Sequence, residues 1–165
     1  MNTKKITLAA LLTAIAIIVP FVVFFKVWVP PFSATLGSHV PMFISMLLGP
    51  QVAIMVGLGS ALGFFLTLGP AVGARASMHI IVGVIGAKLI QRDMSFGRVA
   101  IITAPIHGLL EALIVIPFIG FNAYNILLIT GVGTMLHHTV DALIAYLIIS
   151  ILQKTKTTST IFSGN

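Results

Sequence analysis

Six stretches of this chain are too apolar to form the surface of a water-soluble domain. They run over 6–25, 39–49, 51–68, 72–90, 99–119 and 126–152, with short polar or Gly/Pro breaks between them. A helix needs about 20 apolar residues to cross a bilayer. Runs rich in Leu, Ile, Ala and Val, with little period-two alternation, predict helices rather than a barrel. Composition agrees, since 58% of the 165 residues are hydrophobic, 7% are charged and the mean hydropathy is +1.16. A soluble domain of this size has no core large enough to hide that much apolar surface. The expectation is a single all-α transmembrane domain over 1–165 with six membrane-spanning helices. The second run is too short to cross unless its neighbours contribute. A signal peptide over the first run is disfavoured, because that run is long, lacks a small-residue cleavage site and is followed by further spans.

The breaks are as informative as the runs. Pro20 should kink or end the first helix, and Pro105 and Pro117 fall inside the fifth. Gly49-Pro50 and Gly69-Pro70 make tight turns into the third and fourth. Lys26–Ser38 reads as a loop, because Pro30-Pro31 cannot sit in a regular helix. Gln91–Arg98 is the charge-rich loop, and Gly120–Asn125 a polar, aromatic turn. The Ser/Thr-rich tail Gln153–Asn165 is expected to fray. Gly57, Gly59 and Gly63 give the third helix a smooth face for close packing, and Ala10-Leu-Leu-Thr-Ala14 does the same for the first. Six crossings place both termini on one side, together with Lys4, Lys5, Lys88, Arg92, Arg98, Lys154 and Lys156. Lys26 and Arg75 fall near the other side, so the termini are expected in the cytoplasm of a plasma-membrane protein. The net charge of +6 therefore reports topology and not nucleic-acid binding.

Ionisable residues inside spans carry the functional signal. An arginine at mid-depth costs roughly 2.5–3.5 kcal/mol on insertion scales, so Arg75 must be paired, snorkelled to the surface or kept for a ligand. His79 lies one helical turn on and shares its face. A cavity reading for this pair competes with simple snorkelling of Arg75 to the outer headgroups. His39 opens the second run, His107 and Glu111 are spaced i,i+4 in the fifth, and His137, His138 and Asp141 lie in the sixth. At 1.5 Å per residue, most of these fall in the outer half of the membrane. A site opening outward explains that placement, although His107 with Glu111, and His137 or His138 with Asp141, can equally be internal helix glue.

Several chemistries are set aside. Histidine with a carboxylate can ligate a transition metal, but no HExxH pattern or N-terminal histidine cluster is present and Arg75 would repel a cation, so no metal is expected. There is no cysteine, and hence no disulfide or thiolate site. No nucleophile elbow, Ser–His–Asp spacing or phosphate-binding loop is found, so neither catalysis nor a cofactor is expected. Any ATP that drives transport must be hydrolysed on another chain.

Over Lys4–Leu152 the chain resembles the S components of energy-coupling factor (ECF) transporters, the substrate-binding membrane subunits of these ABC importers. Ala10-Leu-Leu-Thr-Ala14 looks like the AxxxA motif with which S components dock on the shared coupling protein. Phe32-Ser-Ala-Thr-Leu-Gly-Ser-His-Val-Pro-Met-Phe43, Gly59-Ser-Ala-Leu-Gly-Phe-Phe65 and the Arg75–His79 stretch resemble the niacin type. The resemblance implies a bundle that binds a water-soluble vitamin at the outer side, most simply nicotinate. It also implies partnership with a coupling membrane protein and two ATPase subunits in the bilayer, through Ala10 and Ala14. For nicotinate, Arg75 would supply a carboxylate fork, and His79 or His39 would hydrogen-bond the carboxylate or ring nitrogen. Trp28 or Tyr124 would stack on the ring, with Asn122 and Asn125 as further donors. Glu111 sits awkwardly with an anion unless a histidine or a proton occupies it. A pairing of Arg75 with Glu111 would favour a neutral or cationic substrate. Other vitamins or small carboxylates, such as pantothenate or biotin, remain alternatives within the class. A stand-alone secondary transporter is the alternative outside it, although no inverted repeat is evident.

Overall fold

The computed structural model describes residues 2–154, and in it most of the apolar runs become long helices. Helix α1 (Thr3–Val22) is capped by Asn2, whose Oδ1 accepts the Lys5 N–H at 2.9 Å. Pro20 sits in its last turn, and Lys26 Nζ folds back to donate to the Pro20 carbonyl at 2.9 Å. One of the carbonyls orphaned at the helix end is thereby satisfied.

The segment expected as a loop is a β-hairpin. Strands β1 (Lys26–Val29) and β2 (Phe32–Thr35) pair antiparallel, with Lys26 opposite Thr35 and Val29 opposite Phe32, around a cis Pro30-Pro31 turn. Aromatic and β-branched residues on both sides of a proline turn favour this pairing. Strand β1 is exposed throughout, while Phe32, Ala34 and Thr35 of β2 are buried.

Helix α2 (Val40–Leu48) follows and has only nine residues. At 1.5 Å per residue it is about 14 Å long, roughly half the hydrocarbon thickness. Its Met42, Phe43 and Met46 are fully buried and pack with Val82, Val99, Ala145 and Ile149. Among the described residues, five helices, not six, are long and apolar enough to cross a membrane: α1, α3 (Pro50–Leu68), α4 (Pro70–Ile90), α5 (Phe96–Ile114) and the continuous segment Tyr124–Lys154.

Both Gly-Pro turns work as read. Gly49 and Gly69 take φ of +104° and +84°, and the prolines after them start α3 and α4. The left-handed region is open to glycine, and a proline at the first helical position loses no needed donor. Pro105 lies within α5, but Pro117 does not: α5 ends at Ile114, and Pro117 belongs to the one-turn helix α6 (Ile116–Ile119). The last long segment starts as a π-helix (Tyr124–Val132), two residues earlier than expected, and runs on as α7 (Gly133–Lys154). Most of the polar tail, including Lys156, lies outside the described residues.

Helix α3 fits between α1 and α4 through its glycines. A Cβ on Gly57 would lie 2.8 Å from the backbone of Ile80, one on Gly59 would lie 2.8 Å from the Thr13 side chain, and one on Gly63 would collide with Ile17. Gly57→Leu should therefore destabilise the protein by about 1–3 kcal/mol or more. Thermal unfolding in detergent checks this, and an unchanged Tm would mean that α3 and α4 part without penalty.

Candidate functional site

Four elements point their polar residues at one place, the N-terminal end of α2. His39 precedes α2, Arg75 and His79 come from α4, and His107 and Glu111 from α5. Thr134, His137, His138 and Asp141 come from α7, and β2 closes over them. Buried polar groups persist only when partnered, and the partners here are specific.

Arg75 is 4% exposed and does not snorkel to the surface. Its Nε and Nη2 donate to Glu111 Oε2 at 2.9 and 2.6 Å, and Nη2 also reaches the Ser33 carbonyl at 3.2 Å. The Phe32 ring lies 5.2 Å from the guanidinium carbon, within cation–π range. Thr134 Oγ1 donates to the same Glu111 oxygen at 2.6 Å. The fork expected to be free for a carboxylate is thus largely engaged by Glu111. Nη1, with a long 3.5 Å contact to Ser33 Oγ, is its least committed nitrogen.

Asp141 joins three parts of the chain. Its Oδ1 accepts the Gly37 N–H at 2.7 Å, and its Oδ2 accepts the His39 N–H at 3.0 Å. Rings of His39 and His137 lie 2.9 and 3.1 Å from Oδ2. The turn after the hairpin, the start of α2 and α7 are held through this one carboxylate.

All five histidines of the chain meet here, with the His39 ring centroid 4.4–5.9 Å from the other four. His137 partners Asp141, as the glue reading allowed, and its Nε2 also lies 3.1 Å from the Thr35 carbonyl. His138 instead turns to Thr103 Oγ1 and the Ala100 carbonyl, both at 3.2 Å, and to His107 Nδ1 at 3.0 Å. His79 Nδ1 pairs with Ser60 Oγ at 2.8 Å. His107 Nε2 faces Glu111 Oε1 at 3.3 Å without hydrogen-bond geometry.

Arg75, His79, His39 and Glu111 therefore come together as site residues and line a common cavity. Trp28, Asn122, Tyr124 and Asn125 do not line it. Trp28 and Tyr124 are 63% and 62% exposed, and the Asn122 side chain caps the π-helix by accepting the Asn125 N–H at 3.0 Å. Ala10 and Ala14 lie exposed on α1. Ser33, Thr35 and Ser38 also line the cavity, and nothing in their local sequence marks them. His107, His137 and His138 were visible as helix-spaced partners but not as members of one cluster. The free space among the lining side chains is about 20 Å³, room for a water-sized group.

Apolar helices wrapped around a buried, charged and histidine-rich centre define a multi-pass helical membrane protein with an internal polar site. No family model matches the chain, and no solved structure matches it. The chain is 29% identical to the niacin transporter NiaX of Lactococcus lactis subsp. cremoris (strain MG1363), across 93% of this chain and 76% of that protein. The niacin-type likeness read from Phe32–Phe43, Gly59–Phe65 and Arg75–His79 is borne out by this relative. That relative is a transporter, which points away from catalysis.

Proposed function

We propose that the protein is the vitamin-binding membrane subunit of an ECF-type importer and that its ligand is niacin, as nicotinate. Likeness to a niacin transporter along nearly the whole chain carries this reading, and it coincides with a buried polar centre built from four elements. In this reading the hairpin and α2 together make the short second crossing. Both termini are then cytoplasmic, and β2 roofs the site from outside. The Arg75–Glu111 pair by itself favours a neutral or cationic substrate, so in this reading the carboxylate is held by the least committed nitrogen, Arg75 Nη1, together with Ser33. The free space of about 20 Å³ is too small for a pyridine ring, so binding requires the hairpin or its side chains to move.

Isothermal titration of the purified protein with nicotinate tests the assignment. Saturable one-to-one binding is expected, with nicotinamide weaker, and no binding by folded protein would overturn it. Docking is tested separately. Ala14 is exposed on α1, and a small residue there lets a partner helix approach. Ala14→Trp should abolish uptake in vesicles containing the coupling and ATPase subunits while leaving nicotinate binding unchanged. Robust concentrative uptake by this chain alone would point to a secondary transporter instead.

A further inference from the structure

The hydrogen-bond network sets the histidine tautomers. His138 Nε2 faces the Ala100 carbonyl at 3.2 Å, and a carbonyl only accepts, so this nitrogen carries the proton. Neutral His138 then offers its Nδ1 lone pair to His107, so the His107 proton sits on Nδ1, 3.0 Å away. That leaves His107 Nε2 as a bare lone pair, fully buried and without a hydrogen-bond partner. It faces Glu111 Oε1, the carboxylate oxygen that neither Arg75 nor Thr134 uses. Two acceptors opposed at 3.3 Å in a buried site call for a positive group between them.

We propose that His39, His79, His107 and Glu111 form a binding site for a divalent transition-metal cation of the zinc type. One donor atom from each lies within 4.8 Å of all the others. Zinc bonds of about 2.0–2.1 Å place tetrahedral ligands roughly 3.3–3.4 Å apart. The His107–Glu111 edge already has that length, and the remaining edges are no longer than 4.8 Å.

The surroundings match what metal ligands require. A ligating histidine is normally fixed through its other nitrogen. Ser60 holds His79 Nδ1 and His138 holds His107 Nδ1, while Asp141 lies 2.9 Å from His39 Nδ1 without hydrogen-bond geometry. Arg75 occupies Glu111 Oε2, which leaves Oε1 facing His107. Among the described buried groups, one arginine faces two carboxylates, so the buried centre carries net negative charge before an ion binds. Imidazoles with one carboxylate suit zinc, cobalt or nickel better than magnesium or calcium. Chain spacing hid the set, because its members come from two helices and the turn before α2. The proposal stands on side-chain geometry and not on the identity of the vitamin.

Untagged, chelator-treated protein in detergent is titrated with Zn²⁺ by calorimetry and with Co²⁺ by visible absorption. One ion per chain is expected, with the intense bands of four-coordinate cobalt. His79→Ala and His107→Ala should weaken zinc binding at least tenfold. Ser60→Ala, which keeps all four ligands, should weaken it roughly tenfold. Absence of one-to-one zinc binding, a six-coordinate cobalt spectrum in the native protein, or native affinity in His79→Ala would overturn the proposal and leave a proton on His107 as the positive group. Nicotinate titrated into zinc-free and zinc-loaded protein separates the two readings. Nicotinate binding with no zinc binding removes the metal site alone, and zinc binding with no nicotinate binding removes the vitamin alone.

Discussion

Arg75→Ala is expected to destabilise the protein by about 3–5 kcal/mol, because it strands Glu111 as a buried carboxylate without its counter-ion. The loss removes both donors to Glu111 Oε2 together with the bond to the Ser33 carbonyl that anchors β2. Thermal or denaturant unfolding in detergent measures the loss. Arg75→Lys keeps the charge but presents a single point donor, so it should recover only part. The double variant Arg75→Ala, Glu111→Gln should lose less than the two single losses summed, since the pair acts as a unit. It also isolates the ligand's share. If Nη1 contacts the nicotinate carboxylate, the double variant should bind nicotinate roughly ten- to hundredfold more weakly, equivalent to about 1.5–3 kcal/mol. Nicotinamide should change little in that background. Equal losses for acid and amide would make Arg75 purely structural, and strict additivity would contradict the pairing.

Asp141→Ala should be comparably severe, at about 3 kcal/mol or more. Its carboxylate accepts the N–H groups of Gly37 and His39, and each hydrogen bond to a charged group contributes about 1.5–3 kcal/mol. Both donors sit in the turn between the hairpin and α2, 102 or more residues away in the chain. Losing them should free the hairpin from α7 before the helices unfold. Hydrogen exchange should quicken at β2 and at 37–40, while the amides of α3 and α4 keep their protection. Asp141→Asn retains acceptor oxygen and should fall between native and alanine. Uniform loss of protection across all helices would show that Asp141 supports the whole bundle rather than the roof of the site.

The membrane class, the helix ends at Gly49-Pro50 and Gly69-Pro70, and the packing of α3 through its glycines were legible because they depend on local rules. Backbone conformations open to glycine and proline, the 3.6-residue period and the length of apolar runs act over a few residues. For the same reason the i,i+4 spacing puts His107 beside Glu111, and it leaves His137 or His138 as the neighbour of Asp141. Calling Lys26–Ser38 a loop missed the hairpin, since a four-residue strand is stable only against a partner and a buried face. The short run 39–49 could be seen to be too brief to cross alone, but its burial at the centre of the bundle could not.

Which helices stand next to each other was decided by packing alone. Arg75 meets Glu111 across 36 residues and His39 meets Asp141 across 102. No periodicity within a helix encodes such a meeting, because it depends on how whole apolar faces fit. So the sequence by itself determined a helical membrane protein carrying buried charge, and it named the residues that would need partners. The tertiary structure decided who the partners were: it gave Arg75 to Glu111, left Trp28 and Tyr124 outside, and gathered five histidines into one centre. Burial makes every polar group there find a complement, and only the folded bundle sets which complements lie within reach.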